Sequence, residues 1–132
     1  MVSESAATDT KRLLWVVELG GYPDFTPLYR RLGFAVETVN SGRKAQAALK
    51  KSRPAVVVAE FNVQPAFRDR TSNLESLLAA TQRMPETRVI AFYEGETEPQ
   101  LSALRARFPH FTALSFPIDE ASLEEALGSV GA

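Results

Sequence analysis

Two carboxylates stand where apolar runs of this chain end. Residues 54–60 read Pro-Ala-Val-Val-Val-Ala-Glu and residues 12–19 read Arg-Leu-Leu-Trp-Val-Val-Glu-Leu. Each run delivers a single acid, Glu60 or Glu18, to the end of a segment whose other side chains favour burial. Runs this uniformly apolar suit strands covered on both faces, as in a parallel sheet between helices. In such sheets ligands and reacting groups gather just beyond the carboxyl ends of the strands. Two carboxylates meeting there could share a divalent cation through hard oxygen ligands, although two such ligands alone make a weak magnesium site. With no cation between them they repel. The polar stretch 62–73 offers a local remedy in Arg68 and Arg70, one of which could fold over the pocket and pair with Glu60. The leading reading of these arginines is a solvated charged loop.

Other chemistries find little support. Cysteine is absent, which excludes disulfides and thiolate metal sites and fits a reducing compartment. The single histidine, His110, can build neither a multi-histidine site nor a Ser-His-Asp set, and after Pro109 it is expected to be an exposed loop residue. Gly20-Gly21 lacks the Gly-x-Gly-x-x-Gly spacing of a phosphate-binding loop and reads as a tight turn. No metal or cofactor is expected.

The elements that position these residues alternate. Strands are predicted over 12–19, 34–39, 56–61, 87–93 and 111–116, with the second near a sheet edge because apolar and polar residues alternate in it. Helices are predicted over 25–32, 43–52, 74–82, 99–108 and 120–128. Asp24, Ser41 and Asp119 are the expected N-terminal caps, and Gly33 the C-terminal glycine of the first helix. Trp15 and Phe92 are expected in the core. Five strand–helix units imply right-handed crossovers, a parallel sheet and helices on both faces. The fold class is therefore α/β, a flavodoxin-like three-layer sandwich with strand order 2-1-3-4-5. The carboxyl ends of four strands, at Glu18/Leu19, Glu60, Tyr93 and Phe116, are expected to converge around one crevice.

At 132 residues the chain is one domain, residues 11–132, behind a flexible leader over 1–10 that has no features of a secretory signal. Its hydrophobic fraction of 45% and charged fraction of 23% are those of an ordinary soluble protein. A net charge of -1 gives no nucleic-acid surface by bulk electrostatics. No apolar run approaches the ~20 residues of a membrane span. A cytoplasmic location is the default.

With these residues in view, the chain resembles the receiver domain of bacterial response regulators. Residues 54–60 resemble the phosphoacceptor strand, and Phe116-Pro117-Ile118 resembles the Lys-Pro signature after the fifth strand. In receivers, two acids after the first strand and an acceptor aspartate hold Mg²⁺, while a Thr or Ser and a Lys contact the phosphoryl group. The resemblance implies that Glu60 stands at the acceptor position and Glu18-Leu19 at the acidic pair. It likewise puts Tyr93 at the Thr/Ser position, Phe116 at the Lys, and Ala113 at the aromatic switch residue. Glu60 is one methylene longer than aspartate, which displaces its oxygen by about 1.5 Å. Leu19 and Phe116 remove a metal ligand and a cation, and Tyr93 is expected to fill the space of the phosphoryl group.

The resemblance therefore implies a degenerate receiver, a pseudo-receiver of two-component regulation that is not an enzyme and signals by binding. Alternatives are an unorthodox working phosphoreceiver and a flavodoxin-like small-ligand or nucleotide binder. The implied partners are other signalling proteins or an output domain, met through the fourth helix, fifth strand and fifth helix. There Arg105 and Arg107 oppose Glu120, Glu124 and Glu125, charges that suit a two-fold homodimer or, alternatively, a solvated face. Glu60 could also mimic a phosphorylated aspartate.

Overall fold

A computed structural model describes residues 12–62 and 74–128. The expected leader, and the loop arginines Arg68 and Arg70, lie outside the described residues. The order of elements is β1 (Arg12–Val16), α1 (Thr26–Arg31), β2 (Ala35–Val39), α2 (Gly42–Ser52), β3 (Val56–Glu60), α3 (Glu75–Thr81), β4 (Arg88–Tyr93), α4 (Glu98–Arg107), β5 (Phe111–Ser115) and α5 (Glu120–Gly128), with a 3₁₀ turn at Gly95–Thr97 before α4. All strand pairs are parallel and the sheet order is β2-β1-β3-β4-β5, as the alternating pattern predicts.

Strand periodicity divides the core into two layers. Leu14, Val16, Val57, Ala59, Val89 and Ala91 point one way, onto Ala45, Ala48 and Leu49 of α2, Leu77 and Leu78 of α3, and Leu101 and Leu104 of α4. Leu13, Trp15, Val56, Val58, Ile90 and Phe92 point the other way, onto Leu28 and Tyr29 of α1 and Leu123 and Leu127 of α5. β3 is buried along its whole length, which is why its sequence is continuous rather than alternating. β2 lies at the edge and is exposed at every other residue or more.

Local signals set most boundaries. Ser41 accepts the Lys44 N–H at 3.1 Å and starts α2. Asp119 accepts the Ser122 N–H at 3.1 Å and its hydroxyl at 2.9 Å, starting α5. Asp24 sits one residue before the formal cap of α1 and holds the Thr26 N–H at 2.9 Å. Those bonds from Thr26, the hydroxyl first, lower the Asp24 pKa. Gly33, with φ of 96°, closes α1.

Each helix runs back against the strands, so first turns lie at the carboxyl end of the sheet and last turns at the amino end. Acids occupy first turns (Glu75, Glu96, Glu98, Glu120) and bases last turns (Arg30, Arg31, Lys50, Lys51, Arg105, Arg107). That placement complements the helix dipoles. Arg43 and Lys44 in the first turn of α2 are the exception.

Candidate functional site at the carboxyl end of the sheet

Glu60 ends β3 and is 1% exposed. Its position on β3 gives it the same parity as Val56 and Val58, so it shares the α1/α5 face of the sheet. The β1–α1 loop wraps its carboxylate. The N–H of Glu18 donates to Oε1 at 3.2 Å, that of Leu19 to Oε1 at 2.9 Å, and that of Gly20 to Oε2 at 3.0 Å and Oε1 at 3.3 Å. Three consecutive amides converging on one anion form the kind of concavity that binds phosphate in other folds. Here the anion is the chain's own side chain.

This loop explains why β1 is shorter than predicted. Val17 still donates to Val39 O at 2.9 Å, but the next three N–H groups turn to Glu60. Gly20 and Gly21 make the turn possible, at φ of 82° and 95°. The tight-turn reading of this pair holds. Glu18 lends Glu60 its backbone N–H, and its own carboxylate reaches towards the start of α2. Its Oε2 lies 3.9 Å from where a Cβ on Gly42 would stand, at the start of α2.

Aromatic rings close the same end. Tyr22 lies 5.6 Å from Phe92 and 5.8 Å from Phe116, centroid to centroid, while Trp15 and Phe25 pack on Phe92 from its other sides. The Tyr22 hydroxyl is pushed up to about 12, first by burial and then by the charges of Glu94 and Glu60. So the ring beside the carboxylate is Tyr22, which directly follows the Gly20-Gly21 turn. Tyr93 has the parity of Val89 and Ala91 and packs against the opposite core layer, as does Ala113. Tyr93 and Glu60 thus belong to opposite core layers, since neighbouring positions on a strand face opposite ways. Phe116 adjoins Tyr93 through its N–H, which donates to Tyr93 O at 2.7 Å, and its peptide bond to Pro117 is cis. Leu19 and Phe116 are the exposed large hydrophobics among the described residues, at 67% and 46%.

The charges expected to face a partner have intramolecular uses. Arg107 pairs with Glu75 at 3.3 Å, and Arg31 reaches Glu124 at 3.5 Å and Glu120 at 3.9 Å. Arg105 donates to Phe111 O at 3.0 Å and lies over the Phe111 ring.

At the other end of the sheet, a groove of ≈ 680 Å³ runs between the starts of β4 and β5, lined by Thr81, Met84, Arg88, His110 and Phe111 among others. His110 is half-buried there rather than exposed, with Nε2 3.1 Å from Thr81 Oγ1. The Thr81 hydroxyl has one proton and lies 3.0 Å from Leu77 O, to which it donates. With that proton on Leu77 O, the hydroxyl is left to accept from His110, an arrangement that calls for the tautomer protonated on Nε2.

A doubly wound five-stranded sheet with this order and its functional groups at the strand ends is the fold of response-regulator receiver domains. A receiver domain of the CheY-like class from Methylobacillus flagellatus superposes with a TM-score of 0.68 at 26% identity, covering 92% of this chain and 98% of that one. A receiver domain protein from Clostridium thermocellum gives 0.71 at 16% identity, covering 90% and 92%. Chemotaxis protein CheY4 of Vibrio cholerae gives 0.69 at 20%, covering 92% and 98%. No protein-family model matches the chain, and no curated protein matches it. The described helices include none long and apolar enough to cross a membrane.

Proposed function

We propose that this domain is a receiver-like signalling and interaction module that works by binding, without phosphoryl transfer and without enzymatic activity. The supporting observation is the occupation of Glu60. A phosphoacceptor must offer a free carboxylate oxygen to an incoming phosphoryl group, and both oxygens of Glu60 already accept backbone N–H groups. The same bonds bear on magnesium, which receivers hold with oxygen ligands. N–H dipoles aim their positive ends at the place a cation would take, and Leu19 offers no side-chain oxygen. Among the described residues no group of three acids or histidines could hold a metal ion. The donor set does not fit the receiver metal, and the backbone takes over its role of neutralising the carboxylate.

In this proposal Glu60, Leu19, Tyr93, Ala113 and Phe116 occupy the acceptor, acidic-pair, Thr/Ser, switch and Lys positions of a receiver. A permanently engaged Glu60 is a fixed structural anion rather than a switching group. The partner is a signalling protein or output domain in the cytoplasm of a bacterium, with the α4–β5–α5 face and a homodimer as the receiver-like options. Incubation with Mg²⁺ and acetyl phosphate followed by intact mass tests the reading. No adduct is expected. A gain of about 80 Da, one phosphoryl group, would defeat it in favour of a working phosphoreceiver. The groove beside His110 favours a second reading, a small-ligand binder, and a thermal shift with nucleotides would support that.

A further inference from the structure

We infer that the carboxyl end of the sheet is a docking face for a protein segment carrying an aliphatic or aromatic side chain flanked by lysine or arginine, seated over Leu19, Tyr22 and Phe116. The inference rests on the proposed reading of the domain as an interaction module and names its partner's chemistry. Among the described residues Leu19 and Phe116 are the exposed large hydrophobics, and both stand at one end. Tyr22 connects them: its ring meets Phe116 at 5.8 Å, and it follows Leu19 by a two-residue glycine turn. Single exposed hydrophobics mean little, whereas a group of them with a polar rim marks an interaction site.

The face is also held in place. The Leu19 amide is fixed on Glu60 at 2.9 Å, and the Phe116 amide on Tyr93 O at 2.7 Å. Binding there would order few new backbone torsions, which lowers its entropic cost.

Charge selects the occupant. Glu18, Glu94, Glu96, Glu98 and Asp119 lie at this end, and the Glu94 charge is felt at the Tyr22 hydroxyl. Arg43 and Lys44 at the start of α2 are the opposing bases there among the described residues. An acidic rim repels nucleic acid and anionic lipid and attracts a cationic segment. Two copies meeting face to face would oppose like rims. A second copy arriving by its basic end would bring no exposed large hydrophobic among its described residues to fill the patch. Against a second copy's described residues, a foreign basic–apolar segment satisfies both requirements, and it has the pattern that the chain itself carries at Phe67, Arg68 and Arg70.

Selection of phage-displayed random peptides on the full chain, with counter-selection on a Leu19→Ser/Phe116→Ser variant, tests this. The expected consensus places Lys or Arg beside Leu, Ile or Phe, and its affinity falls about tenfold or more on the variant. Both side chains are solvent-facing, so the fold should survive; Leu19→Ser alone provides the same readout if the double variant does not fold. An acidic consensus, no consensus, or equal affinity for the variants overturns the inference. So does head-to-tail self-association of the wild type that the substitutions abolish. A phosphoryl adduct in the acetyl phosphate assay would instead remove the underlying reading, so the two failures are told apart.

Discussion

Replacing Glu60 by glutamine keeps the volume and removes the charge, so it weighs the amide cradle directly. In Glu60→Gln the amide oxygen can replace Oε1 and keep the Glu18 and Leu19 N–H bonds, now at 3.2 and 2.9 Å to a neutral acceptor. The NH₂ then faces the Gly20 N–H at 3.0 Å, donor against donor. A hydrogen bond to a charged group contributes roughly 1.5–3 kcal/mol and a neutral one about 1 kcal/mol. Losing one charged bond and weakening two others costs about 3–4 kcal/mol, and relief of carboxylate desolvation returns part of it. The expected net destabilisation is about 2 kcal/mol, or roughly 6–10 °C in Tm for a domain of this size. Urea unfolding followed by the sole tryptophan, Trp15, which is 4% exposed, measures it. The midpoint should fall with m unchanged. Glu60→Asp separates reach from charge: shortening by about 1.5 Å takes every one of these bonds out of range unless the loop follows. A Glu60→Gln variant as stable as the wild type, or a harmless Glu60→Asp, would refute the cradle.

Two further outcomes follow from the site and the groove. Tyr22 keeps its proton to about 12 when folded, against 10.0 in the unfolded chain, so its contribution is fully present below pH 10.0 and lost as pH rises towards 12. Tyr22→Phe should resist alkaline unfolding in that window better than the wild type, and a tyrosinate signal from Tyr22 near 10 in the folded protein would contradict this. At the opposite end, nitrogen NMR of His110 should show the neutral ring protonated on Nε2, and Thr81→Val should release that preference and cost about 1 kcal/mol; an Nδ1-protonated ring in the wild type would overturn the assignment.

The sheet order was legible because its strands are uninterrupted apolar runs separated by helices with recognisable starts at Ser41 and Asp119. The receiver resemblance likewise rested on the run 54–60 and on Pro117, and solved receiver folds match it. What escaped sequence reading were contacts made over long separations. Val17-Glu18-Leu19 continues the apolar pattern of β1, and only the bond to Glu60, about forty residues on, ends the strand early. Tyr22 sits among Gly and Pro, the composition of a turn, and gains its place by folding back onto Phe92 and Phe116. His110 looked solvent-facing after Pro109 because its partner, Thr81, is 29 residues away. Parity along β4 likewise turns Tyr93 to the face opposite Glu60, a direction that the residue types alone do not announce.

The sorting of acids into first turns and bases into last turns has a reach beyond helix stability. With helices all antiparallel to a parallel sheet, the peptide dipoles of the helices add along one axis, although the pairs Arg31–Glu120 and Arg107–Glu75 bring some of the side-chain charges of neighbouring helices together. A charged visitor would then be rotated into alignment while still tens of ångströms away, at low ionic strength. Salt should slow its capture and leave its residence time almost untouched.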